Sequence, residues 1–321
     1  MKRPHARLFA IALSALVLTA VAQARLPDAP AVADPTAVTV PPEAIRAAGI
    51  RSLTAWTSRV GPDGDLGEGY RASSVSYDMR GNPLEQIAYD ERGVVLQGIV
   101  NTYDGKGRLV ESVSQEHTGE GDARTVFAYD GEWIVGTTAY RPDGSLLVTT
   151  HYDYDKDGNV VASLTEVPDA DISQRMTFEY SPSGDVINTI SYDSAGNVVA
   201  TSETKNDSDG RPLEATAFLP DGTISTVTRY SYDSDGQLLD VTVRDAEGTV
   251  LQAASKVYDL DGLMVEVVIS NPPAGIEQRV VVEYDEAENR LTEQTYNKLG
   301  QLVSETRYAY EYHGDRDGTQ D

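Results

Sequence analysis

Residues 228–238 read Thr228-Arg229-Tyr230-Ser231-Tyr232-Asp233-Ser234-Asp235-Gly236-Gln237-Leu238, and the string Tyr-Asp-x-x-Gly-x-aliphatic inside it recurs along most of the chain. It returns at Tyr77-Asp78, Tyr89-Asp90, Tyr103-Asp104, Tyr154-Asp155, Tyr192-Asp193 and Tyr258-Asp259. The glycine positions run from Gly81 to Gly314 in steps that alternate 12 and 14, with one step of 11. Degenerate sites stand at Trp133, Ala170, Ala274 and Glu288. The unit is therefore about 26 residues long and holds two turns.

An Asp at the start of a turn accepts a hydrogen bond from its own backbone two residues on. Gly supplies the positive φ that closes such a turn. Asn289, next to the missing glycine, is expected to take its place. The segments between turns are too short for helices and rich in Val, Thr, Leu, Ile and Tyr, as in Gln237–Val243 and Arg279–Tyr284. The pattern predicts an all-β protein, a long antiparallel meander of about 18–20 strands. Such a sheet would be ~90 Å wide if unrolled, and accumulated twist curls it into a spiral, a barrel-like shell or two layers.

The stretch Thr228–Leu238 resembles the YD repeat of the RHS family, with close variants at His151–Gly158 and Thr306–Tyr310. The resemblance covers residues 67–314 and implies a spiral shell of antiparallel strands. Relatives often carry a C-terminal toxin or an autoproteolytic segment. This chain is expected to have neither, because residues 315–321 follow directly on the last turn. The resemblance also implies carbohydrate binding as one role found in the family.

In a meander, alternate turns fall on the same edge. One edge collects ten leading residues, of which nine are tyrosine: Tyr77, Tyr103, Tyr129, Tyr154, Tyr180, Tyr232, Tyr258, Tyr284 and Tyr310, with Asn206 the exception. The opposite edge has Tyr89, Tyr140, Tyr192 and Tyr296. Each tyrosine of the regular edge either covers its own turn or offers an aromatic face to a sugar ring. The candidate binding residues are Tyr103, Tyr129, Trp133, Tyr154, Tyr180, Tyr232, Tyr258 and Tyr284. Trp133 is expected to fold over the sheet edge or to form a spot with Tyr129 and Tyr140. The same edge carries Asp-x-Asp-Gly at Asp155/Asp157, Asp207/Asp209, Asp233/Asp235 and Asp259/Asp261. These acids are either turn chemistry or weak calcium ligands.

Residues 1–24 read as a secretory signal: Lys2, Arg3 and Arg7, then the apolar run Leu8–Ala22, then Ala22-Gln23-Ala24. The run is short for a membrane span, and no span is expected after cleavage. Residues 25–49 read as a linker and a short helix from Pro42 to Ala48, and residues 50–66 as an N-terminal cap strand. Residues 315–321 read as a disordered tail. The chain has 321 residues, no cysteine and a formal charge of −25. That charge disfavours nucleic acid and anionic lipid as partners. Without cysteine, disulfides, thiolate metal sites and cysteine nucleophiles are excluded. The address expected is the periplasm or surface of a Gram-negative bacterium.

No histidine spacing suits a metal, and no nucleophile elbow or phosphate-binding loop is present. Carboxylate pairs recur at every repeat, whereas a catalytic pair is singular. His151 near Asp153 is the best catalytic candidate of a poor set, and the expectation is a non-enzymatic binding or scaffold module. Its partner is a glycan or cell-wall component. The alternative is another secreted protein, contacted as an immunity-like cap of a toxin or repeat protein through an open sheet edge. Open terminal strands would also favour self-association.

Overall fold

The computed structural model describes residues 42–116 and 121–314. The signal at 1–24, residues 25–41, His117 with Gly119, and the tail at 315–321 lie outside them. Helix α1 spans Pro42–Ala48. The first strands are β1 (Ile50–Arg59), β2 (Tyr70–Tyr77), β3 (Pro83–Tyr89), β4 (Val95–Tyr103) and β5 (Leu109–Glu116). Next come β6 (Gly121–Asp130), β7 (Trp133–Tyr140), β8 (Leu146–Tyr154), β9 (Val160–Val167) and β10 (Ile172–Tyr180). Then follow β11 (Val186–Tyr192), β12 (Val198–Asn206), β13 (Pro212–Phe218), β14 (Ile224–Tyr232) and β15 (Leu238–Asp245). The last are β16 (Val250–Tyr258), β17 (Met264–Asn271), β18 (Ile276–Tyr284), β19 (Arg290–Asn297) and β20 (Leu302–Tyr312).

Each strand pairs antiparallel with the next, and β20 pairs back onto β1, so the meander is one closed 20-strand barrel. At the closure Leu53 faces Tyr310, Ala55 faces Tyr308 and Thr57 faces Thr306. On its other side β1 meets β2 with Ala55 against Ser73. Of the three forms left open by the repeat, the chain takes the closed ring. The segment read as a cap strand is a full member of it. The terminal edges that would have invited self-association are spent on each other.

The turns explain the curl. In the β4–β5 turn the Asp104 amide donates to the Arg108 carbonyl at 2.9 Å, and the Gly107 amide donates to the Asp104 carbonyl at 2.9 Å. Gly107 has φ +86, and the register shifts by one residue beside the turn, between Thr102 and Tyr103. This is a tight turn closed by a left-handed glycine with a bulge, and a bulge increases local twist. The same shift recurs beside most turns at both ends of the strands, so curvature accumulates round the ring.

The degenerate sites obey local rules of their own. Glu288 itself takes the positive φ, +64. The expectation that Asn289 would do so is corrected: its side chain instead donates to Asp285 at 3.1 Å. The β6–β7 turn closes through Gly131, φ +60, so Trp133 already opens the next strand. That shorter turn accounts for the step of 11. Ala170 and Ala274 end short 3-10 turns, and the left-handed residues there are Asp171 and Gly275.

The tyrosine face of the sheet is also the buried one. Phe127, Ile134, Tyr152 and Val160 form one patch across β6–β9; Met264, Val267, Val280 and Val282 form another across β17–β18. In a ring of twenty strands β7 and β17 lie opposite each other. The two patches remain separate, each within its own part of the wall. At ~4.8 Å per strand the circumference is ~100 Å, more than that of the 16–18-stranded barrels that hold an aqueous channel.

Helix α1 sits at the tyrosine rim. Ile45 and Ile50 are 2% and 3% exposed. The Pro42 carbonyl rests on Gly81, where a Cβ would lie 2.0 Å from the Pro42 oxygen and φ is +85. No residue with a side chain fits. The His313 amide donates to the Gly49 carbonyl at 2.7 Å and ties the end of β20 to the start of β1.

Removing residues 42–59 exposes the edges of β2 and β20 together. The truncated protein is expected to self-associate in light scattering while the full chain stays a single species. A truncated chain that stays monomeric with unchanged strand content by circular dichroism would contradict the closure.

Candidate functional site

The ladder tyrosines point back along the inner wall, and from Tyr103 to Tyr310 each hydroxyl is committed. Tyr103 donates to the Pro83 carbonyl at 3.0 Å, Tyr129 to Leu109 at 2.8 Å, Tyr154 to Ile134 at 2.6 Å and Tyr180 to Val160 at 2.7 Å. Tyr232 donates to Pro212 at 3.0 Å, Tyr258 to Leu238 at 3.0 Å, Tyr284 to Met264 at 2.9 Å and Tyr310 to Arg290 at 3.0 Å. Each acceptor lies twenty residues back, at the start of the neighbouring strand, where the bulge interrupts the ladder. Asn206, the exception to tyrosine, makes the same bond to Val186 at 3.3 Å. The sequence marked these residues as a row but could not show that their polar ends are used inside the sheet.

Burial raises the pKa of several of these phenols, Tyr129, Tyr154, Tyr232 and Tyr258 among them. Tyr180 and Tyr310 are pushed up to about 12, chiefly by desolvation, and so is Tyr152 on the same wall. Tyr103 is raised further, first by burial and then by the Asp78 charge. Rim cations cover two of the rings: Arg108 lies 4.6 Å from the Tyr129 centroid and Arg211 5.1 Å from that of Tyr232.

Trp133 is the exception in the aromatic row. It is 45% exposed and stacks on Tyr154, with centroids 5.1 Å apart and planes at 25°. A Cβ on Gly158 would come within 3.2 Å of the indole, so the ring lies flat on that turn. The expected companions Tyr129 and Tyr140 are not its stacking partners. The shorter β6–β7 turn swings the indole towards the next hairpin instead, and Tyr140 packs beneath Arg124 at 4.8 Å. Trp133 is thus a supported, half-open aromatic plate. Its rim neighbours are polar: Glu132, which pairs with Lys106 at 3.4 Å, and the Asp155 turn.

The paired aspartates divide by position. The leading ones cap their own turns: Asp155 accepts from the amides of Asp157 and Asn159, and Asp207 from those of Asp209 and Arg211. Asp233 accepts from Asp235 and Gln237, and Asp259 from Asp261 and Leu263. Asp155 is held below the usual carboxylate range, first by the Asn159 side chain. The second aspartates face solvent. Asp157 pairs with Lys156 at 2.8 Å, and Asp209 with Arg211 at 3.0 Å. Among the described residues no three acids or histidines converge on a point that could hold a metal ion.

Two features escaped the sequence. At the far rim Arg71, Arg124, Arg175 and Arg279 stack on Tyr89, Tyr140, Tyr192 and Tyr296, 4.4–5.6 Å from the ring centroids. Three of these pairs are direct cross-strand neighbours, a relation visible only once the register is known. On the outer wall a cleft of about 520 Å³ opens beside the Pro168–Ala170 turn, lined by Thr149, His151, Glu166 and Ser173 among others.

No family model matches the chain, and no curated protein matches it. Among solved structures it is similar to TcdB2-TccC3 without its hypervariable C-terminal region, at 12% identity and TM-score 0.27, over 78% of this chain and 18% of that one. A porin-like protein from Bacteroides uniformis is similar at 9% identity and TM-score 0.36, over 82% of this chain and 98% of that one. The chain thus spans less than a fifth of the TcdB2-TccC3 chain.

Two outcomes follow from the ladder. Tyr258→Phe removes one buried hydroxyl bond and should lower unfolding stability by about 1 kcal/mol in urea titration; no change would mean that the hydroxyl is not bound to Leu238. In alkali the phenols stabilise the fold while protonated. Stability is therefore full below about pH 10, the ordinary tyrosine value, and lost as pH rises through about 12. The melting temperature should hold to about pH 10 and then fall as Tyr180 and Tyr310 ionise. Tyrosinate forming at Tyr180 or Tyr310 in the folded protein at about pH 10 would contradict it.

Proposed function

We propose that this protein is a non-enzymatic, secreted RHS-like YD-repeat module that binds a carbohydrate or cell-wall component. Trp133 and Tyr154 form the contact plate at the tyrosine rim. The observation that carries this reading is the half-exposed Trp133 indole, backed by a second ring and seated on a glycine, in a row whose other aromatic groups are turned inward. A flat aromatic face of that kind suits the apolar face of a sugar ring, and the polar turns around it supply hydrogen-bonding groups.

The secretory reading of residues 1–24 and the charge of −25 support an extracytoplasmic address. The outer wall supports a barrel that stays in water. It carries Arg124 with Glu111, Arg279 with Glu266, and Glu214 between Lys205 and Arg229. A membrane barrel presents an apolar band there. A second reading, a protein partner, is favoured by the outward aliphatic row near the rim: Leu84, Ile187, Leu213 and Leu291 are all exposed.

The test is an array of glycans and cell-wall fragments probed with residues 25–321. Trp133→Ala should abolish binding, Trp133→Phe should keep part of it, and circular dichroism should be unchanged. Glycan binding that survives Trp133→Ala, or a blank array for the wild type, would overturn the reading; in the second case the aliphatic row becomes the place to probe.

A further inference from the structure

A repeat protein supplies its own control, because each position has counterparts in the other units. On the inner wall the residue that opens each odd-numbered strand after its turn is apolar in every unit from Pro83 to Met264. In the last unit it is Arg290. Three residues on, the inward positions from Gln86 to Val267 are all uncharged, and in the last unit the residue is Glu293. Two charges have replaced two neutral side chains together, on β19, beside the closing strand β20.

Arg290 is held in place yet left unsatisfied. Its side chain is 12% exposed, and Nη1 lies 3.4 Å from Glu293 Oε2. That same oxygen accepts from the Tyr308 hydroxyl at 3.0 Å, so it is already engaged. The Arg290 carbonyl accepts from Tyr310 at 3.0 Å. Arg290 Nε and Nη2 are buried and have no hydrogen-bond partner among the described residues. Donors left in this way cost stability. Nε and Nη2 are also the two parallel donors with which a guanidinium grips a carboxylate or phosphoryl group.

We propose that the Nε–Nη2 edge of Arg290, steadied by Glu293 and Tyr308 on the inner wall beside the closure, is a binding subsite for an oxyanion. The anion reaches it when a neighbouring side chain rotates away, and it satisfies both orphaned donors at once. A carboxylate of an acidic sugar or peptide and a phosphoryl group share this chemistry. The subsite is separate from the Trp133 plate and does not rest on it.

The experiment is a nitrogen-15 spectrum of arginine Nε–H groups in the full chain, titrated with sodium acetate, inorganic phosphate or sodium chloride at equal ionic strength. The Arg290 signal is the one lost in Arg290→Lys; should that variant misfold, through-bond connectivities in the wild type assign it. The expected result is a saturable shift of that signal with acetate or phosphate and none with chloride. Response to acetate alone assigns a carboxylate, and response to phosphate alone a phosphoryl group. The shift should persist in Trp133→Ala. A signal that ignores both oxyanions, or that follows chloride equally, would overturn the proposal.

Discussion

Twenty strands in one sheet leave two rows of unpaired backbone groups, and in this protein those rows are used on each other. The pairing of β1 with β20 satisfies the amides and carbonyls that an open sheet would offer to another chain. It also fixes the curvature, because a closed ring has one circumference whatever its strands would individually prefer. The bulged turns supply the twist that brings the ends round. Helix α1, wedged on Gly81, and the His313–Gly49 bond hold the junction where chain ends meet. With both edges removed, the protein stays folded without a central core: its buried patches are local and sit within the wall.

The tyrosine ladder is the second consequence of the bulges. A bulge leaves a carbonyl outside the ladder of strand bonds, and a phenol one strand over is long enough to reach it. The same reach is made by Asn206, which shows that the requirement is a donor at the end of a side chain and not an aromatic ring. The rings then do double service by covering the wall near the rim. The departures at Trp133 and at Arg290 with Glu293 stand out because the background is so regular.

Much of this was legible in the chain. The spacing of Gly236, Gly262 and their counterparts gave the turns, the strand class and the sorting of tyrosines onto one rim, since each of those follows from local geometry. The closure was not legible: Ile50–Arg59 lacks the Tyr-Asp signature, and its partner lies at the other end of the sequence. Glu288 took the left-handed conformation despite the neighbouring Asn289, because the position within the turn decides φ and the asparagine was needed to bond Asp285. The stacking of Trp133 on Tyr154 was not legible because one turn is a residue shorter, a change that alters direction more than spacing. At the acidic turns the leading aspartates were recognisable as turn caps, and their structure uses them so. The surroundings of Arg290 could not be seen until register placed Tyr308 beside Glu293.

The central claim is that the sheet is a closed ring. Amide hydrogen exchange, followed residue by residue on the intact protein, tests it most directly. If β1 and β20 bond each other, their amides exchange as slowly as those of β14, which lies between two neighbours in the interior of the sequence. Fast exchange along one side of β1 and of β20, with β14 protected, would show an open sheet and contradict the account.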